Sequence, residues 1–190
     1  EQSYYLEDLV RDFKQAGFHL EKKEFEKVKE LKKELALLSA DFSKNVNNDT
    51  SHIIVSKEEL KGASADFLSN LQEEKSKYVV KTDYPSYFHV MENAEIEETR
   101  RKLYLAFNNR AHPQNDLILK KVIELRFEMS NLLGYENFSC CDLDGEMAKN
   151  PQVVHQFIDD LLPRVKEKAV KEFKELKSNL PEGISLKGGS

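Results

Sequence analysis

At 190 residues the chain is long enough to bury a sizeable core, as one domain or as part of a larger one. It is 39% apolar and 33% charged, with a net charge of −5, and its basic and acidic residues are interleaved; no basic stripe forms, which excludes nucleic acid as an expected partner. No run approaches the ~18 consecutive apolar residues of a membrane span, and no charged-then-apolar signal peptide opens the chain, so no membrane partner is expected.

In chain order, Leu6, Leu9, Phe13 and Ala16 recur at three and four, and Gly17 is placed to stop that first helix. A second helix follows: Phe25, Val28, Leu31, Leu35, Leu38, Phe42 and Val46 make a single apolar stripe. Lys29, Glu30, Lys32, Lys33 and Glu34 form its solvated face. The short joint from Gly17 to Lys22 implies an antiparallel helical hairpin. Asn45, Asn47, Asn48, Asp49 and Thr50 break the second helix. His52-Ile53-Ile54-Val55 then reads as a strand.

Ser56 and Glu59 form a capping box for a brief helical turn to Leu60, which Gly62 ends. Ser64 to Leu71 reads as a short helix, and Tyr78 to Thr82 as a second strand, pairing antiparallel with the first in a two-stranded ribbon that leans on the helices. Beyond Pro85 the chain returns to helices: Ser86 to Asn93, then Ile96 to Asn109 with Ile96, Leu103 and Phe107 on one face. Pro113 starts or precedes a helix with the stripe Ile118, Val122, Leu125, Met129 and Leu132, which ends at Gly134. Asn150-Pro151 is an N-cap with proline at the first helical position. It opens a long helix carrying Val154, Phe157, Ile158, Leu161, Val165, Ala169, Phe173 and Leu176, with Pro163 placed to kink it. The fold class is all-α, built of helical hairpins and long helices with a small two-stranded β ribbon.

Chemistry-bearing patterns are few. His19, His52, His89, His112 and His155 never fall four apart, so no H-E-x-x-H pair of imidazoles shares a helix face. There is no C-x-x-C knuckle, glycine-rich phosphate loop or G-x-S-x-G elbow. The acid pairs Glu97-Glu98 and Asp159-Asp160 are neighbours on helices, where successive side chains diverge, and read as surface charge. Cys140-Cys141 is a vicinal pair and a strained choice for a disulfide. A reduced, cytoplasmic compartment follows, with the sequons at Asn48 and Asn137 unused and a redox role for the pair as the lesser reading. The pattern is already under way at Glu1, which leaves room for an upstream targeting segment. Tyr84, Tyr87 and Phe88 around Pro85 read as packing where strand meets helix, or else as the wall of a peptide groove. Glu98, Arg100 and Arg101 read as ion-paired across helices, or else as a site for a substrate carboxylate.

Several short pieces, in this order and spacing, carry a family likeness. They are Val10-Arg11-Asp12-Phe13 with Ala16-Gly17, Phe42-Ser43-Lys44-Asn45, Asp49-Thr50, Glu58-Glu59-Leu60 with Gly62, and Asp66-Phe67-Leu68. Thr82-Asp83-Tyr84-Pro85-Ser86-Tyr87-Phe88 follows, then Glu98-Thr99-Arg100-Arg101, Ala106-Phe107-Asn108 with Arg110, and Leu125-Arg126. Leu132-Leu133-Gly134-Tyr135 and Met147-Ala148-Lys149 with Val154 and Phe157 close the series. Together these resemble the amino-terminal half of the thimet oligopeptidase, neurolysin and saccharolysin family of zinc peptidases. One departure is Lys61-Gly62-Ala63-Ser64, which lacks a proline often found in that loop.

The resemblance implies zinc endopeptidases that cut short peptides in a deep channel between two helical lobes. It implies that residues 1–187 form a neurolysin-like amino-terminal lobe and one channel wall. Gly188-Gly189-Ser190 reads as an appended or floppy tail. Zinc belongs to the parent enzyme by resemblance, and its two histidines and glutamate, with the glutamate that activates water, have no counterpart in this chain. No catalytic or metal residue is therefore assigned, the substrate-binding residues are unknown, and this chain is expected to bind no zinc and to be inactive alone. Its partners would be short peptides and the missing carboxy-terminal catalytic part. The alternative is a free-standing, non-catalytic helical module that binds peptides or a protein.

Overall fold

The computed structural model describes residues 2–180. Chain contacts divide it into two units, one joining the residues up to Val28 to those from Phe127 onward, the other spanning Lys29–Arg126. The expected all-α class holds: eight helices and one small sheet lie among the described residues. No described helix is long and apolar enough to cross a membrane.

In the Lys29–Arg126 unit, the greater part of α2 (Lys22–Asn47) and of α6 (Gln114–Leu132) accompanies all three strands and helices α3 (Ala65–Ser69), α4 (Tyr84–Asn93) and α5 (Glu97–Asn108). The strands are β1 (His52–Val55), β2 (Gln72–Glu74) and β3 (Lys77–Lys81). β1 and β3 pair antiparallel as expected, from His52 opposite Lys81 to Val55 opposite Tyr78. The ribbon, however, is three-stranded, in the order β1-β3-β2. β2 was hidden because Gln72-Glu73-Glu74 is entirely polar and exposed, with no apolar alternation to reveal a strand. Its hairpin turn is also disguised. Lys75 and Ser76 adopt φ values of 50° and 63°, the pair of positive angles usually supplied by Asn-Gly.

Alternation decides the sheet's inner face. Val55 and Val80 are fully buried, with Ile53 and Tyr78 packed beside them. They join Leu60, Val90, Ala94 and Leu103 in one core, edged by Phe67, Leu68 and Tyr87. The capping box forms in both directions: Ser56 N donates to Glu59 Oε2 at 2.8 Å, and Glu59 N donates to Ser56 Oγ at 3.3 Å. The segment to Leu60 is a run of hydrogen-bonded turns rather than a helix. Buried Thr99 on α5 ties to that turn, its hydroxyl donating to the Glu59 carbonyl at 2.8 Å. A polar link joins α2 to α6, with Asn45 Nδ2 donating to Asn115 Oδ1 at 2.9 Å and Asn115 Nδ2 donating to the Phe42 carbonyl at 3.1 Å. Asn115 is buried, so its amide needs these partners. All seven stripe residues of α2 are buried or half-buried, as their spacing requires.

The other unit holds α1 (Gln2–Ala16), α7 (Phe138–Leu143), α8 (Pro151–Ser178) and the far end of α6. α1 stops at Gly17 and α6 just before Gly134, each through paired bonds. Gly17 N donates to the Lys14 carbonyl and Phe18 N to the Phe13 carbonyl, while Gly134 N donates to the Asn131 carbonyl and Tyr135 N to the Ser130 carbonyl. The accompanying apolar contact is an edge-on pair of Phe13 and Phe18, and Phe18 stacks in turn on Phe25 at the start of α2. Asn137 caps α7 by accepting from Cys140 N at 3.0 Å. α7 lacked a sequence signal because six residues, half of them Ser or Cys, carry no helical period. Asn150 caps α8 as expected, and α8 continues as one helix through Pro163. The Gly188–Ser190 tail lies outside the described residues.

Candidate functional site

The aromatic cluster around Pro85 splits in two. Tyr87 turns inward and stacks on Phe107 with ring centroids 3.9 Å apart. Tyr84 and Phe88 stay 60% and 51% exposed and stack on each other at 6.1 Å. Asp83 starts this helix by accepting from Ser86 N at 2.9 Å and from the Ser86 hydroxyl at 3.0 Å, with Pro85 in the first turn. Packing therefore accounts for Tyr87, and Tyr84 lines an open groove.

That groove, about 660 Å³, lies within the Lys29–Arg126 unit. Its floor is the sheet face opposite the core, with Val79 and Lys81 on β3 and His52 on β1; Tyr84 and Arg110 form a wall. Arg110 is half-buried and rigidly held. Its Nε donates to the Phe107 carbonyl at 3.0 Å and its Nη1 to the Thr82 carbonyl at 3.2 Å. Its guanidinium carbon sits 3.8 Å from the Phe107 ring centroid and 5.5 Å from that of Tyr84, within cation–π range. Asp49 stands nearby with both oxygens in use: Oδ1 accepts from Ser51 N and Oδ2 from Ala111 N, each at 2.8 Å. Burial pushes the Asp49 carboxyl up, but the hydrogen bonds from Ser51 and Ala111, helped by the Arg110 charge, outweigh it and hold the group below its ordinary value. In the sequence Arg110 was visible only as a piece of the family likeness and Asp49 as that and as a helix breaker; they lie 61 positions apart, and no spacing rule joins them.

The charged triplet on α5 pairs, but within its own helix. Arg101 Nε meets Glu98 Oε2 at 3.0 Å one turn away, and Arg100 donates to the Ala94 carbonyl just before the helix. The expected pairing across helices is thus replaced by an i,i+3 pair, because one turn brings these side chains together without a partner helix. Glu97, Asp159 and Asp160 are exposed, as read. Neither Cys140 nor Cys141 is part of a disulfide. Met147 is 98% exposed. Among the described residues, no group of three His, Cys, Asp or Glu side chains is placed to hold a metal ion.

In the other unit Tyr135 is the most perturbed group. Its hydroxyl donates to Asp144 Oδ2 at 2.7 Å, and the Lys14 ammonium lies 4.9 Å from its ring centroid. Burial first, and then the hydrogen bond to Asp144, push its ionisation up to about 12. The folded state therefore holds this proton more tightly than the unfolded chain does. The resulting stability is complete below about pH 10 and is lost as pH rises from 10 toward 12. Thermal melts across that window should fall more steeply for the parent chain than for Tyr135→Phe. Parallel profiles would show that the Tyr135–Asp144 bond has no such effect.

The matched sequence patterns now have relatives to set beside them. Residues 90–186, about half of the chain, match the model of peptidase family M3. The chain is 31% identical over 187 residues to saccharolysin of Saccharomyces cerevisiae, covering 95% of this chain and 26% of that protein. It is 28% identical over 189 residues to oligopeptidase A of Escherichia coli, covering 91% and 28%. It is 29% identical over 170 residues to a probable thimet oligopeptidase of Arabidopsis thaliana, covering 89% and 24%. The chain thus spans about a quarter of the length of the curated relatives it matches. With a family model covering half of it and relatives aligned along nearly all of it, the chain belongs to peptidase family M3.

Proposed function

We propose that this chain is part of the amino-terminal lobe of a cytoplasmic zinc metallo-endopeptidase that hydrolyses short peptides, that it supplies one wall of the substrate channel, and that it is inactive by itself. The observation that carries this reading is family M3 membership in a chain spanning about a quarter of its relatives' length. Catalytic zinc needs three protein ligands of His, Cys or carboxylate type converging on one point. The described residues do not fit that need, and no step of hydrolysis is assigned to them. The metal ligands and the water-activating base belong, on this reading, to sequence beyond this chain.

The purified chain is expected to hold no stoichiometric zinc and to cleave no quenched fluorescent peptide of about ten residues. One tightly held zinc per chain by atomic spectrometry, or metal-dependent cleavage, would overturn the proposal.

α8 supports the same reading. Phe157, Leu161 and Val165 line up at successive four-residue steps, with Phe173 and Leu176 further along, and all are exposed. A stripe of this size on a water-facing helix is an interaction surface or an aggregation liability. The chain alone is expected to self-associate and to bind a hydrophobic dye. Replacing Phe157, Leu161 and Phe173 together by glutamine should abolish both without lowering the melting temperature. A parent chain that is monodisperse and dye-silent would favour the free-standing module instead.

A further inference from the structure

We infer that two copies of the 190-residue chain pair through α8, antiparallel about a two-fold axis at Val165. The inference deepens the self-association expected of the chain alone and does not depend on the catalytic reading. In the parent the same face would meet sequence beyond this chain; in its absence a second copy covers it.

Three observations carry it. The first is that α8 is presented whole. It runs as one helix from Pro151 to Ser178, and every residue from His155 to Ser178 is exposed. The second is that its apolar stripe reads the same in both directions. Counted outward from Val165, Leu161 and Ala169 lie four residues away, Phe157 and Phe173 eight, and Val154 and Leu176 eleven. A two-fold axis at Val165 sets that residue against its own copy, Leu161 against the copy's Ala169, Phe157 against its Phe173 and Val154 against its Leu176. Large meets small beside the axis, and aromatic meets aromatic further out.

A parallel pair would also match apolar to apolar, and charge decides between the two, which is the third observation. Residues 151–162 carry Asp159 and Asp160 and no Lys or Arg, whereas residues 163–178 carry six Lys or Arg against three Glu. Antiparallel pairing lays the acidic half of each helix along the basic half of the other; parallel pairing sets like on like. In the two-fold register Asp159 falls opposite Lys171, and the contact occurs twice. Lys171 already meets Glu167 at 2.9 Å within the helix, and its three N–H donors allow it to hold both acids. Lys168 and Glu172, paired with each other at 3.3 Å, fall opposite Leu162 and Ile158, so that flank meets a neutralised pair with its aliphatic stems. Arg164 falls opposite Lys166, a like-charged contact, with Glu167 one turn from Arg164 to offset it.

The test is sedimentation equilibrium of the 190-residue chain over a wide range of concentration. The 22.0 kDa chain is expected to pass to a species of twice that mass and to stop there. Val165→Lys places two ammonium groups on the axis and should abolish the dimer. Asp159→Lys and Lys171→Asp should each weaken it by about tenfold or more, because each change is made twice per dimer. The double variant restores both contacts with the charges exchanged and should return to within about threefold of the parent chain. All three side chains are exposed, so the melting temperature of the dilute chain should be unchanged. A monomer at every concentration, growth past the dimer, a dimer that survives Val165→Lys, or single charge reversals that the double variant does not rescue would overturn the inference. The zinc and cleavage assays, which none of these outcomes moves, test the catalytic reading separately.

Discussion

Replacing Gly62 by alanine is expected to destabilise the Lys29–Arg126 unit by roughly 3 kcal/mol or more, more than the same change at any other described glycine. Gly62 has φ +95°, where an L side chain is already strained by about 1–2 kcal/mol. A Cβ there would also be driven into the backbone carbonyl oxygen of Asn93. That oxygen cannot swing aside cheaply. It lies at the end of α4, where Ala94 N donates to the Val90 carbonyl and Glu95 N donates to the Lys61 carbonyl at 2.8 Å. Ala94 belongs to the core, so moving this corner also loosens Val90 and Leu103. Gly134 supplies the matched control. Its φ is +86°, yet nothing lies within 4 Å of a Cβ built on it. Gly134→Ala should cost only the conformational part, about 1–2 kcal/mol. Urea unfolding of the two variants separates the terms; equal losses would mean that the approach to Asn93 carries no energy.

Leu103→Ala should cost about 3 kcal/mol, within the 2–5 kcal/mol range for emptying a buried leucine site. Leu103 is fully buried at the centre of the cluster formed with Val55, Leu60, Val80, Val90 and Ala94. Its neighbours come from two strands, a turn and the end of α4 with its C-cap, so the surroundings cannot collapse around the lost atoms by moving one element. Leu105, two positions along the same helix, points away and is 45% exposed. Leu105→Ala should change stability by less than about 0.5 kcal/mol. The check is the urea midpoint at unchanged slope, followed by far-ultraviolet circular dichroism. A similar loss at both positions would mean that α5 is not oriented by this core.

These contrasts also mark what could be read without coordinates. Helix α2 was legible because its seven apolar residues repeat at three and four, and burial follows that spacing. Gly17, Gly134, Ser56–Glu59 and Asn150-Pro151 were legible because caps and stops are set by chemistry within a few residues. β2 and α7 were not. One is a wholly polar edge strand behind a Lys-Ser turn, and the other is a six-residue helix with no period. Both are held by neighbours rather than by their own composition.

The candidate site divides along the same line. By itself the sequence determined the family, most of the helices, the pairing of β1 with β3 and the aromatic character of the segment around Pro85, since each depends on local pattern or on order along the chain. Only the tertiary structure decided that Tyr87 turns inward while Tyr84 faces a groove. It alone decided that Arg101 pairs along its own helix, and that Arg110, Thr82 and Asp49 meet across the end of β3. Those outcomes depend on where separate elements come to rest against a shared core. Long-range packing of this kind leaves no periodic trace in the residues that it brings together.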